Sequence, residues 1–305
     1  MLEINRIKKN PDLIIKKLER RGLDAKQDIH LILELNNQRI ENQQKLDAML
    51  AEGNQLAQNI GQFAKEKKFE KIEELKKNAA QIKIDSKELI EIAKNIEEKI
   101  KNQLIRIPNI PHDTVPAGKD AANNIVIENW EKKISEPTNK IEDLLTHWEL
   151  AEKYDIIDFK TGSQITGSGF PVYKNLGAKL QRGLINFFLD YNTSAGYTEY
   201  IPPYFVNEDS AFNTGQIPDK EGMMYHINND NLYAIPTAEV PITNMFKNNR
   251  YHHSELPIKC TAYSPCFRRE AGSYGKEVRG LNRLHQFDKV EIVQICDPKQ
   301  SYTIL

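Results

Sequence analysis

The stretch CFRREAGSYGKEVRGLNRLHQFDKVE, Cys266–Glu291, decides the fold. It opens on Arg268, Arg269 and Glu270, passes through a Gly-, Ser- and Lys-rich run, and returns as an alternating strand from Leu284 to Glu291. That pattern predicts a long β-hairpin with two fixed cations at its base and a flexible, polar, basic tip. An arginine pair on a surface strand, taken alone, reads as a solvated face. On a rigid strand it also suits a triphosphate, because the planar guanidinium fork matches phosphate oxygens and keeps its charge. Alternation puts Arg269 on the opposite strand face from Arg268.

Towards the N-terminus lies LYAIPTAEVPITN, Leu232–Asn244, centred on Thr237, Ala238 and Glu239. A lone Glu in such a proline-flanked segment is ordinarily a surface residue. Leu176, Leu180, Leu184, Phe187, Phe188 and Tyr191 form one apolar helical face, stopped at Gly196 and followed by a strand Tyr197–Ile201 that ends at Pro202-Pro203. Further back, RIPNIPHDTVPAGKDAANN, Arg106–Asn124, carries three prolines and a glycine and reads as an extended linker.

Residues 1–104 are poor in Gly and Pro. A short helix is expected from Pro11 to Arg20, then two long ones. Ile72, Leu75, Ala79, Ile82, Ser86, Leu89, Ala93, Ile96 and Ile100 recur at spacings of three and four, and Leu46, Met49, Gly53, Leu56, Ile60 and Phe63 keep the same rhythm. Two such seams joined by a turn within Ala64–Phe69 predict an antiparallel coiled-coil hairpin, with about 30 residues per helix and an arm of roughly 45 Å. Lys65, Lys67, Lys68, Lys71, Lys76 and Lys77 gather at its tip, interleaved with Glu66, Glu70, Glu73 and Glu74. This is either ordinary helix-pair charge patterning or a surface for the backbone of A-form RNA.

The 305 residues hold 42 Lys+Arg against 43 Asp+Glu, so any nucleic-acid site must come from local charge. Three cysteines, Cys260, Cys266 and Cys296, form no CxxC pair and fit a reducing cytoplasm. The opening MLEINRIKKNPDL is charged within a few residues, unlike a signal peptide, and no apolar run is long enough to span a bilayer. The sequence therefore predicts a soluble, cytoplasmic protein with no membrane partner. His252-His253 lacks a third ligand at useful spacing, so no metal site is expected. His285 reads as ordering the hairpin, and His112, His147 and His226 as packing or hydrogen-bonding residues.

Cys266–Glu291 resembles motif 2 of the class II aminoacyl-tRNA synthetases, in the wording of the seryl-tRNA synthetases. Leu232–Asn244 resembles that family's serine-recognition segment and Arg106–Asn124 its arm-to-core linker, while His147–Leu150 and Gly215–Pro218 match smaller signatures. The resemblance implies an α+β fold: an N-terminal antiparallel coiled-coil arm (1–104) that grips serine tRNA, a linker (105–130), and a class II antiparallel sheet with flanking helices (131–305). It implies a serine–tRNA ligase using ATP and Mg²⁺, acting as a homodimer through the apolar helix and following strand, with no DNA partner; the family also charges selenocysteine tRNA with serine. Carried over residue by residue, Arg268 clamps the α-phosphate and can also help hold the serine carboxylate. Arg269, Glu270, Leu284 and Phe287 complete the ATP site, with Glu270 on the adenine amino group or the nearby nucleotide edge and Phe287 stacked on the base. Thr237, Ala238, Glu239 and Glu291 bind serine, and Tyr274, Lys276 and Arg279 touch the tRNA acceptor end.

The chain ends at Leu305, ahead of the family's motif 3. The γ-phosphate arginine, the Mg²⁺ ligands and the later serine contacts are accordingly expected beyond it. Gly169, Asn213, Asp219-Lys220 and Asn282 depart from the family's usual residues. Two readings stand: a fragment of a working enzyme, or a degraded copy that binds tRNA through its arm without adenylating serine.

Overall fold

The computed structural model describes residues 2–128, 144–219, 221–271 and 279–305. The chain divides into two compact units, Met1–Ser135 and Glu136–Leu305.

The first unit is helical: α1 (Ile4–Lys9), α2 (Pro11–Glu19), α3 (Lys26–Lys65) and α4 (Phe69–Arg106). Pro11 sits at the first position of α2, where its missing N–H leaves nothing unsatisfied. Helix α1 has no counterpart in the single opening helix expected from the sequence; its six residues are too few for a periodic signal, but Ile7 is fully buried. Every expected seam residue of α3 and α4 is buried or half-buried, and most residues between them are exposed. The helices are longer than expected, 40 and 38 residues, so they rise about 60 and 57 Å. The extra length lies at the base, where Ile29, Ile32 and Leu35 of α3 join Ile14, Ile15, Leu18, Ile96, Ile100 and Leu104 in one core. There the partners are α1 and α2 as well as α4, so a two-helix seam pattern does not report the whole helix.

Within the coiled coil, Asn42 is buried and donates to the Leu89 carbonyl at 2.9 Å. This is a polar contact that a one-turn slip would leave unsatisfied. The turn falls at Glu66–Lys68, with Lys67 in the left-handed region (φ 55°), and the Lys68 and Lys71 ammonium groups each lie 5.7 Å from the Phe63 ring centroid. Beyond α4 the proline-rich linker is laid against α2. Lys17 pairs with Asp113 at 2.9 Å, Arg21 donates to the Asn109 carbonyl at 2.8 Å, and Arg20 donates to the carbonyls of Asp113 and Val115. Lys17, through its hydrogen bond, holds the Asp113 carboxyl below its usual range.

The second unit is built on the expected hairpin. Strands β7 (Ile258–Phe267) and β8 (Gln286–Ile295) pair antiparallel in a continuous register from Ile258↔Ile295 to Phe267↔Gln286. The sequence placed the return from Leu284 and the arginines on the strand; instead β7 stops at Phe267, and Arg268 and Arg269 lie just past its end. The sheet is mixed rather than purely antiparallel, because β3 (Thr198–Tyr200) joins β7 in parallel. A parallel neighbour needs a long crossover, and no local pattern in three residues declares its partner. A second sheet has the order β4 (Phe205–Asn207), β6 (Leu232–Ala234), β5 (His226–Ile227), and β1 (Ile157–Asp158) pairs with β2 (Val172–Tyr173).

Helix α7 (Asn175–Ser194) supplies an unexpected arrangement. A mixed side meets the sheet: Gln181 donates to Asp288 at 2.8 Å and Asn192 to Thr261 at 2.9 Å, with half-buried Ile185 and Leu189 on the same line. Gly177 is buried against the Ile156 carbonyl where a Cβ would not fit. The apolar stripe of Leu176, Leu180, Leu184, Phe187, Phe188 and Tyr191 faces outward and is exposed. No helix among the described residues is long and apolar enough to cross a membrane.

Strand β7 is nearly enclosed. Cys260 and Cys266 are fully buried, whereas Cys296 is only half-buried, and burial pushes both β7 thiols above their usual range. In the folded protein at neutral pH, Ellman's reagent should therefore modify Cys296 first and reach the other two only on unfolding. Equal reaction of all three would contradict the enclosure of β7.

Candidate active site

Alternation along β8 directs Phe287, Lys289 and Glu291 to one face and Asp288 to the other. Asp288 accepts from Gln181 and, at 2.7 Å, from the Tyr263 hydroxyl, whose pKa is raised by burial and by that bond. Opposite the first three, β7 presents the small residues Cys266, Ser264 and Ala262, each wholly or almost wholly buried. Small side chains there let another segment approach. The Phe267 N–H donates to the Ile235 carbonyl at 2.9 Å, bringing Ile235–Glu239 against the hairpin.

At that crossing a compact polar cluster forms. The Thr237 hydroxyl donates to Glu291 Oε2 at 2.6 Å and accepts from Lys289 Nζ at 3.1 Å, and Lys289 Nζ lies 2.6 Å from the same Glu291 oxygen. Thr237 and Ala238 are buried. Glu239 opens α9 (Glu239–Met245) and is exposed; its backbone N–H, 3.3 Å from the Thr237 hydroxyl, ties it to the cluster. The structure thus brings Thr237 and Glu291 together and leaves the Glu239 carboxylate outside that contact.

At the other end of the same face, the Arg268 guanidinium lies 5.1 Å from the Phe287 ring centroid, a cation–π contact. The Arg268 N–H donates to the His285 carbonyl at 2.9 Å, extending the ladder past the end of β7. Arg269 leaves the ladder: its N–H goes to the Met223 carbonyl at 2.8 Å and its side chain is exposed. Glu270 is held in the left-handed region (φ 47°), an unusual conformation for a non-glycine residue, and its carboxylate pairs with Arg283 at 2.8 Å. A carboxylate has four lone-pair positions, so Glu270 keeps acceptor capacity beside that pair. Leu284 is buried.

The segment returning to β8 is pinned from three sides. His147 Nε2 accepts the Leu281 N–H at 2.7 Å while Arg279 lies 5.0 Å over the neighbouring Trp148 ring. The Gly169 carbonyl accepts the His285 N–H at 2.9 Å, and His285 Nδ1 lies 2.7 Å from the Tyr225 hydroxyl. His285 therefore orders the hairpin and His147 is a hydrogen-bonding residue, each as read from the sequence. Tyr274 and Lys276 lie outside the described residues. Among the described residues no group of three or more His, Cys, Asp or Glu side chains could hold a metal ion.

Sequence reasoning missed Lys289. The signal was available: it sits two residues from both Phe287 and Glu291 on a strand of period two. Tyr225 and Trp148 were missed because only tertiary contacts carry them to the hairpin.

A long helical hairpin, followed by an antiparallel strand pair bearing an Arg–Phe shelf and a Thr–Lys–Glu cluster on one face, is the architecture of a class II aminoacyl-tRNA synthetase. Residues 1–111 match the seryl-tRNA synthetase N-terminal domain, and residues 223–305 the tRNA synthetase class II core domain (G, H, P, S and T). The serine–tRNA ligase of Salinibacter ruber is 41% identical over 305 residues, covering 100% of this chain and 70% of the relative. That of Methylacidiphilum infernorum is 43% identical over 310 residues, covering 100% and 71%. The crystal structure of seryl-tRNA synthetase from Pyrococcus horikoshii complexed with ATP superposes with a TM-score of 0.84 at 32% identity, over 100% of this chain and 71% of that one. The chain belongs to the seryl-tRNA synthetase family.

Gly280 tests how far the hairpin depends on its anchors. It has a φ of 69°, and a Cβ there would overlap His147 Nε2. Gly280→Ala should destabilise the protein by about 1–3 kcal/mol in urea unfolding and displace Arg279 from Trp148. An unchanged midpoint would show that the His147 contact is dispensable.

Proposed function

We propose that the protein activates L-serine with ATP to seryl-adenylate and transfers the seryl group to serine tRNA. The observation that carries this is the single β8 face on which an Arg268–Phe287 shelf and the Thr237–Lys289–Glu291 cluster stand side by side. The first suits a nucleotide, the second a small amino acid with a hydroxyl. Phe287 is the surface on which the adenine stacks. Arg268 binds the α-phosphate, where charge builds in the transition state. Glu270 reads the adenine amino group or the nearby nucleotide edge, Leu284 lies beside the base, and Arg269 stands at the edge of the nucleotide site.

A serine carboxylate is already ionised, so the first step needs position and charge stabilisation more than a base. Glu291 and Thr237 recognise the serine hydroxyl and amine, with Ala238 and Glu239 completing that wall. A site built to hydrogen-bond a hydroxyl rejects an analogue lacking it by about 10⁴–10⁵. The resemblance implies Mg²⁺, but among the described residues no group of three or more His, Cys, Asp or Glu side chains could hold it. In the transfer step Tyr274, Lys276 and Arg279 meet the acceptor end. Residues 1–104 form the tRNA-binding arm, 105–130 the linker and 131–305 the catalytic part, in a cytoplasmic enzyme. The outward apolar stripe of α7 supports a homodimer, since a contiguous exposed apolar face marks an association surface.

The degraded-copy alternative is disfavoured by how the departures from family wording are built in. Gly169 (φ 83°) accepts the His285 N–H in a place where a Cβ would overlap the imidazole. The Asp219 carboxylate accepts the N–H groups of Met223 and Met224, each at 2.8 Å. Asn213 donates to Asn244 at 3.2 Å.

Serine-dependent ATP–pyrophosphate exchange on the purified chain tests the reading. Arg268→Ala should lower exchange by about 10²–10³, and Glu291→Ala should raise the KM for serine far more than that for ATP. Equal losses for both substrates would sink the Glu291 assignment. Phe187→Glu should convert a dimer to a monomer in analytical ultracentrifugation; a wild-type monomer would refute the α7 interface.

A further inference from the structure

We infer that Lys289 is a catalytic residue of the adenylation step, binding the serine carboxylate where it meets the α-phosphate. This rests on the reading of the cleft as a site for serine and ATP, and adds to it a group that the sequence did not single out.

The placement carries the inference. Phe287, Lys289 and Glu291 stand on one face of β8 at successive intervals of about 6.8 Å. If Phe287 marks the adenine and Glu291 the serine side chain, the group between them faces the junction of nucleotide and amino acid. Lys289 is that group. Its ammonium has three N–H donors, and its partners among the described residues, Thr237 Oγ1 at 3.1 Å and Glu291 Oε2 at 2.6 Å, take two. Its side chain is 35% exposed, against 20% for Glu291, so the third donor is open to a ligand in the cleft.

Charge gives the reason for a cation there. The two groups that react, the serine carboxylate and the α-phosphate, are both anionic, and Glu291 adds a further negative charge beside the place where that carboxylate must sit. Arg268, stacked on Phe287, stands at the nucleotide end, and Lys289 would meet the same carboxylate from the amino-acid side. Lys289 offsets Glu291 and offers the incoming carboxylate a charge-assisted hydrogen bond. One carboxylate oxygen then attacks the α-phosphorus of ATP. A carbon-bound oxygen–phosphorus bond forms as the bond to the oxygen bridging the α- and β-phosphates breaks. That oxygen leaves with the bonding pair as pyrophosphate, no proton moves, and Lys289 stays protonated throughout.

The rival role is a counter-ion for Glu291 that never touches substrate. L-serinamide separates the two, because it keeps the hydroxyl and amine of serine but has no carboxylate. Binding of L-serine, L-serinamide and adenosine to the purified chain is measured by titration calorimetry, for the wild type, Lys289→Met and Lys289→Gln. Lys289→Met should weaken L-serine by about tenfold or more while L-serinamide and adenosine change by less than about threefold. Equal weakening of serine and serinamide would show a mere counter-ion and overturn the inference, as would unchanged serine binding. If thermal melting shows Lys289→Met unfolded, Lys289→Gln decides, since its amide can still bridge Thr237 and Glu291 without charge. Retained preference for serine over serinamide in that variant would overturn the inference. A wild type that binds neither adenosine nor serine refutes the functional reading itself, and the inference with it. A wild type that binds both, beside variants that discriminate normally, removes only the role of Lys289.

Discussion

A slip of one residue in the pairing of β7 with β8 would turn Phe287, Lys289 and Glu291 away from the cleft and send Asp288 into it. Much in the second unit guards that register. On the back of the strand, Asp288 is held by Gln181 from α7 and by Tyr263 from the partner strand. At the open end of the hairpin, Arg268 and His285 continue the ladder, while Gly169, Tyr225 and His147 pin the returning segment. These contacts come from residues distant in sequence, so the register is a property of the whole unit and not of the hairpin alone.

The same constraint explains why unlike chemistries can stand side by side. A strand spaces same-face side chains evenly and rigidly, so a stacking surface, a cation and a carboxylate are delivered in fixed order with little conformational freedom to lose on binding. The crossing Ile235–Glu239 segment then converts a row into a pocket, with Thr237 closing the cluster from above. The small residues Ala262, Ser264 and Cys266 make that crossing possible; larger side chains at those positions would hold the segment off.

The first unit solves a different problem with a simpler device. Its seam is periodic and local, which is why Leu46, Ile72, Ser86, Ile96 and Ile100 were legible, whereas the buried Asn42, a polar residue, was not. Nor was the base: α1, the early part of α3 and the linker strap on α2 depend on contacts among four segments, which helix periodicity does not encode. The α7 stripe shows the converse limit. A helical apolar face was read correctly, yet sequence could not say whether it meets the sheet or looks outward, because periodicity reports amphipathicity and not the direction in which the helix turns it.

By itself the sequence determined the elements whose signals are local and repeated: two long helices, a proline-rich linker, and a hairpin opening on Arg268 and closing on Glu291. It also named most of the residues that line the cleft, because motif wording and strand alternation survive without coordinates. Only the tertiary structure decided which of them meet. It joined Thr237 to Glu291, left the Glu239 carboxylate outside, moved the arginines past the end of the strand, paired β3 in parallel, and brought Lys289 into the cluster. Those outcomes depend on the close approach of segments 50 or more residues apart, which is set by packing volume and hydrogen-bond satisfaction across the unit and leaves no periodic trace in the chain.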